Sequence, residues 1–232
     1  MYDYPMVDPE TGAALYREAR GRIVTVARAL DAERLAVTVP ACPLWTVKDL
    51  LAHFAGMASD MARDNVAGAP GEAWLADQVA ARSGRGVEEL IAEWEEQGSR
   101  WEEIARRAEH PSFLVRNPYL DTAVYEADLY AALGLPRPPA EVTLAIVDSV
   151  VPRVAEDFDD LGLYLVTTPD REYPLGLGHA VASATTETYE LMRAMFGRRS
   201  RAQIEGWEWS EPPGAFAERL PILPQVESDL FD

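Results

Sequence analysis

Four stretches in the first 134 residues repeat apolar side chains at three- and four-residue steps, a rhythm that restricts this part of the chain to packed helices. The first runs from Gly12 to Leu30, with Leu15, Ala19, Ile23 and Val26 on one face and Arg17, Arg20 and Arg22 outside it. Two prolines in "DAERLAVTVPACPL" break the pattern. Thr46 restarts it as an N-cap with Asp49 three residues on, a shortened capping box. Val47, Leu50, Leu51, Phe54, Ala58 and Met61 form the stripe of this second helix. The turn-rich "AGAPGEAW" leads to a third helix, Val87 to Ala105, acidic on its outer side. A fourth spans Tyr119 to Leu133 and is stopped by Gly134 and "LPRPP". Four amphipathic helices joined by loops of moderate length predict a four-helix bundle.

Beyond "GLPRPPAE" the rhythm changes. A helix is expected from Ala140 to Phe158, two short strands around a turn at Pro169–Asp170, and another helix in "ETYELMRAMFGRRS" stopped by Gly197. The fold class expected is mostly α with a smaller α+β part: a bundle over 1–138, then a small α+β domain over 139–232. The final stretch is proline-spaced and acidic and reads as a wrapping tail.

A chain of 232 residues can bury the cores of both domains. Its 21 basic and 39 acidic residues leave a formal charge of −18, a surface that repels phosphate backbones and anionic lipid. Nucleic-acid and membrane partners are therefore not expected, while a small-molecule substrate, an anion drawn to a local basic cluster, is compatible with that surface. The single cysteine, Cys42, admits no internal disulfide and fits a reducing compartment. With no apolar run of about 18 residues and no secretion signal at the start, the expected location is cytoplasmic, as a monomer or homodimer.

His53 is the residue around which chemistry could gather. On a helical wheel it lies about 60° from Leu50, at the flank of the apolar stripe near Asp49 and Asp60. It is either a half-exposed histidine paired along its own helix or a group pointed inward between helices. On the fourth helix Asp121, Tyr125 and Asp128 fall at i, i+4 and i+7, on one flank. Oxygen donors on one helix facing a histidine on another are how bundles build metal sites, although acidic flanks are also simply solvated. His110 precedes a proline and reads as structural, and no role follows for His179. Cys42, flanked by Pro43 and close to Trp45, reads as a small buried hydrophobe.

Taken together, "VPACPLWTVKDLLAHFAG", "QVAARSGRGVEELIAEWEE" and "VYEADLYAALG" resemble the mycothiol-dependent maleylpyruvate isomerase family, whose N-terminal part is a DinB-like four-helix bundle. "YELMRAMFGRRSRAQIEGWEW" resembles the family's C-terminal region, so the resemblance covers about residues 10 to 210. It implies a divalent metal, typically zinc, held by a histidine on the second helix and a Glu-x-x-x-His pair on the fourth. His53 matches the first position; Asp121 stands at the Glu and Tyr125 at the second His. Asp keeps a carboxylate with shorter reach. A phenol, with a pKa near 10, ligates zinc more weakly than imidazole at neutral pH. Tyr130 stands where the family has arginine, while Asp128 is kept.

The resemblance further implies mycothiol or a related thiol as cofactor. Its thiolate adds to a cis double bond and is eliminated after rotation, with a metal lowering the thiol pKa. An anionic substrate or cofactor needs a cation, and "GRRSR" supplies the best cluster, Arg198 and Arg199 being the expected cofactor-binding residues. The same charges also suit a helix C-terminus. Two readings follow: a thiol-dependent isomerase or transferase with an altered metal site, or a metal-free family member serving as a small-molecule or protein binding module.

Overall fold

The computed structural model describes residues 7–107, 115 and 117–232, and the chain divides into two compact units, one over 8–137 and one over 138–232. In the first, α1 (Pro9–Arg28) starts earlier than its apolar rhythm because Asp8 caps it, accepting the N–H groups of Glu10 and Thr11, with Pro9 in the first turn. A short α2 (Ala32–Leu35) and an antiparallel hairpin, β1 (Thr38–Val39) with β2 (Cys42–Thr46), occupy the proline-broken segment. Next come α3 (Val47–Ala62), α4 (Glu72–Ala80), α5 (Val87–Arg107) and α6 (Pro118–Leu133). The stretch read as turn-rich therefore holds a helix, α4, whose nine residues are too few to show a clear apolar period.

The long helices form a ring in which α1 and α3 each touch both α5 and α6. The core holds Tyr16, Ile23, Leu50, Phe54, Trp94, Trp101 and Tyr119. Burying a large apolar side chain stabilises the fold by roughly 1.5–3 kcal/mol. Phe54 stacks on Trp94 at 4.6 Å between centroids, and Trp94 donates its Nε1–H to the Tyr16 hydroxyl at 2.9 Å. α6 ends as its sequence demands, on Gly134 in the left-handed region at φ 64°.

In the second unit α7 (Ala140–Glu156) precedes β3 (Leu163–Thr167), β4 (Glu172–Leu175) and β5 (Ala180–Thr185). Then follow α8 (Thr188–Met195), α9 (Arg201–Glu205), β6 (Glu208–Trp209) and α10 (Phe216–Arg219). The sheet order is β4-β3-β5-β6, with β3 and β5 parallel and the other pairs antiparallel. Alternation puts Tyr164, Val166, Tyr173, Leu175, Ala182 and Ala184 on one buried face. α7 packs against it, and Tyr173 donates its hydroxyl to Asp148 of α7 at 3.1 Å. Leu163, Leu165, Val181 and Ser183 face the other way and line a cavity of about 560 Å³. Two of the four strands, β5 and β6, were not expected: β5 is built mainly of small residues, and β6 is only two residues long. Among the described residues, no helix is long and apolar enough to cross a membrane.

Candidate functional site

The site is built at the start of α3. Thr46 and Asp49 close a capping box, Thr46 Oγ1 accepting from the Asp49 N–H while the Asp49 carboxylate accepts the Thr46 N–H at 2.9 Å. This fixes the turn from β2 into α3, with Trp45 as the last side chain before the cap. Two turns on, His53 is fully buried. The half-exposed, intrahelical pairing that the flank position allowed is not found: Asp49 is spent on the cap, and Asp60 reaches His53 only through another residue.

That residue is Gln78, on α4 and 3% exposed. Its Nε2 donates to Asp60 Oδ2 at 2.9 Å, and its Oε1 lies 2.9 Å from His53 Nδ1. A carboxylate accepts only, so the amide is oriented with its oxygen toward the imidazole, and Nδ1 must carry the proton. Asp60 Oδ1 is held by Asn65 Nδ2 at 2.9 Å, which steadies the chain of bonds from outside. The approach of α4 requires Gly56, where a Cβ would lie 2.6 Å from the Gln78 Cβ.

The other imidazole nitrogen meets the fourth bundle helix. His53 Nε2 lies 3.4 Å from Asp121 Oδ2 on α6. Both atoms are buried, and among the described residues neither has a hydrogen-bond partner. With Nδ1 protonated, a neutral imidazole presents a lone pair to a carboxylate oxygen, a repulsive arrangement that a proton or another cation between them relieves. The Asp121 side chain keeps 20% exposure, while the oxygen that faces His53 is itself buried.

Aromatic rings wall the pair. Tyr125, one turn after Asp121, stands edge-on to His53 at 4.8 Å between centroids; Trp45 lies 5.0 Å from His53 and 6.0 Å from Tyr125. His53, Asp121 and Tyr125 are thus brought together, while Asp128 is fully buried rather than solvated. Further along α6, Glu126 receives a bidentate pair from Arg22 at 2.7 and 2.8 Å. Burial, with the Glu126 carboxylate beside it, pushes the Tyr130 phenol up to about 12. Arg82 approaches the Gln78 carbonyl at 3.0 Å, but Glu93 takes the rest of its guanidinium at 2.6 and 3.0 Å. Burial works to raise the Glu93 carboxyl; Arg82 and Arg85 outweigh it and hold it below the usual carboxylate range.

In the C-terminal unit, the two expected cofactor-binding arginines are buried. Arg199 pairs with Glu190 at 2.5 Å and with Asp232, and Arg198 Nη1 donates to the Phe196 carbonyl at 2.8 Å. The charge of Arg199 is thus paired within the unit. Cys42 sits half-buried on β2 rather than in the core, His179 is exposed at the start of β5, and His110 lies outside the described residues. Sequence reasoning did not single out Gln78 or the bond chain through Asp60. "QVAARSGR" begins at Gln78, and that was the available signal.

Among the described residues, no three His, Cys, Asp or Glu side chains gather as a metal-binding group; the described donors are the His53–Asp121 pair with Tyr125 beside it. Two crystal structures share the fold, that of the mycothiol-dependent maleylpyruvate isomerase and that of a variant with one histidine replaced by alanine. Each is 12% identical with a TM-score of 0.56, over 89% of this chain and 94% of the other. No curated protein sequence matches the chain. Residues 16–130 match the family model described as the mycothiol maleylpyruvate isomerase N-terminal domain. The mostly α architecture, a helical bundle with a small α+β part, agrees with that match: the N-terminal unit carries a mycothiol maleylpyruvate isomerase N-terminal domain.

Proposed function

We propose that the protein is a thiol-dependent isomerase or transferase whose active site is built around His53 and Asp121, with an altered divalent-metal site and mycothiol or a related thiol as cofactor. The observation that carries this reading is the orphaned pair: an imidazole nitrogen and a carboxylate oxygen, both buried and 3.4 Å apart, neither hydrogen-bonded to a described residue. Zinc bonds to nitrogen and oxygen of about 2.0–2.1 Å place two ligands of a tetrahedral ion roughly 3.3–3.5 Å apart. The pair fits that spacing. Gln78 and Asp60 supply the outer support that a ligating histidine needs, keeping its Nε2 lone pair turned toward Asp121.

His53 Nε2 and Asp121 would hold the ion, and Tyr125 would be a weak ligand or a proton donor to substrate. A divalent metal there lowers the pKa of a thiol and polarises a carbonyl. The chain's own groups position and enclose. Trp45 and Tyr125 wall the pair on the apolar side, and the part of Asp121 that stays exposed is where a small molecule would approach. Arg198 and Arg199 have no part in this proposal, since both are buried and Arg199 is ion-paired within the C-terminal unit.

A second reading, a metal-free binding module, is favoured by Tyr125 itself. A neutral phenol stands where a third strong ligand would complete the set. Elemental analysis of protein purified without a histidine tag or chelator, beside a His53→Ala control, separates the two. Near-stoichiometric divalent metal, lost in the control, supports the enzyme. Protein that takes up no metal even from excess zinc supports the binding module.

A further inference from the structure

The segment 222–232 lies on the C-terminal unit as a bound peptide would. Its first part is held by backbone bonds, Ile222 N–H to the Met195 carbonyl at 2.8 Å and Val226 N–H to the Gly197 carbonyl at 3.0 Å. From Asp229 onward it is read by side chains. Ser200 Oγ donates to Asp229 Oδ1. Gln203 brackets Leu230, its Nε2 donating to the Leu230 carbonyl at 2.7 Å and its Oε1 accepting the Leu230 N–H at 3.2 Å. The Asp232 carboxylate receives Arg193 Nη2 at 2.6 Å, Arg199 Nη2, and the Tyr189 hydroxyl at 3.2 Å.

The reading is selective. Two carboxylates three residues apart and the peptide unit between them are bound, while the side chain of Phe231 is 86% exposed and ignored. Arg193 and Arg199 are only 1% and 2% exposed, so the carboxylate they hold is cut off from water. A buried ion pair adds little net stability over an apolar contact, whereas removing its anion is costly. What such a pair does supply is discrimination for a carboxylate at that point. Tyr189 and Arg193 stand on α8 and Ser200 and Gln203 close the capping box of α9, while Arg199 lies in the short link between the two helices.

We propose that this groove is a receptor for an acidic peptide, filled here by Asp229–Asp232 of the same chain, and that an acidic segment of a partner protein with carboxylates at i and i+3 can take its place. The tether gives the chain's own segment an effective concentration of order 1 mM, so a competitor enters only when that segment is weakened or the competitor is abundant.

The test uses a fluorescent peptide of residues 228–232, acetylated and amidated so that only its side-chain carboxylates are charged. Its binding is compared between the unaltered chain and an Asp229→Asn, Asp232→Asn double variant of the full chain. Binding to the double variant at least about tenfold tighter than to the unaltered chain, and lost when the peptide carries Asn at both positions, is the expected result. A folded double variant that binds both peptides alike, or neither up to about 1 mM, overturns the proposal. Should the double variant not fold, hydrogen exchange on the unaltered chain decides. Excess peptide should accelerate exchange of the Leu230 N–H, and an unchanged rate would overturn the receptor.

Discussion

A methyl group on Gly56 would lie 2.6 Å from the Cβ of Gln78, so the bare α-carbon on α3 is what lets α4 hand a glutamine to His53. The next contacts, 2.9 Å to the Gln78 Cγ and 3.0 Å to Arg82 Nη1, are also tight, so the methyl would press on two side chains of the α4 region at once. Gly56→Ala is expected to push α4 outward and destabilise the bundle by about 1–3 kcal/mol, the cost of overpacking a close contact. Chemical denaturation measures it. Unchanged stability would mean that α4 floats freely on α3.

Gln78→Leu keeps much of the volume but leaves the His53 Nδ1–H and the Asp60 carboxylate without their shared partner. Stability should fall by about 1–3 kcal/mol, the cost of an unsatisfied buried polar group. The tautomer should also shift, with the proton moving toward Nε2, where Asp121 can accept it. Nitrogen-15 NMR of the imidazole reads this directly. A ring that stays protonated on Nδ1 alone would show that Gln78 does not set the tautomer.

Tyr125→His replaces a neutral phenol by an imidazole one turn beyond Asp121. If His53 Nε2 and Asp121 are ligands, zinc affinity in competition with a chromophoric chelator should rise, because imidazole ligates without having to ionise. Equal affinity in both proteins would sink the arrangement of donors. His53→Ala should abolish binding in either background.

Alkaline pH offers a separate handle at Tyr130. Burial and Glu126 raise this phenol from 10.0 to about 12 in the folded chain. The unfolded chain therefore loses the proton first, and the contribution is fully present below pH 10 and lost as pH climbs toward 12. Tyr130→Phe removes the titrating group, so its stability should fall less steeply across that window. Urea denaturation at several pH values tests this, and identical slopes would contradict the environment described for Tyr130.

The bundle was legible because Leu50, Phe54, Trp94 and Leu120 repeat at helical spacing along helices of sixteen residues or more, where period outweighs local noise. The cap at Thr46 and the stop at Gly134 were equally plain, since each depends on a few adjacent residues. His53, Asp121 and Tyr125 could be named as one cluster, but burial could not be judged. A wheel places His53 at the edge of a stripe without saying how closely the neighbouring helix approaches. Gln78 was hidden because its role depends on a distant glycine and on a helix too short to announce itself. The hairpin that carries Trp45 was hidden for a related reason: its strands are two and five residues long, and Pro43 in the second weakens the strand signal.

The β4 edge of the C-terminal sheet carries Pro174 opposite Leu165, at a position where an incoming strand would look for an amide hydrogen. Proline has none to give, and its ring crowds the line along which a new strand would dock. At the opposite edge β6 offers two residues, too short a template for growth. A sheet with one partly open apolar face is thereby kept from polymerising through its margins, and the chain can carry that face without forming fibres through them.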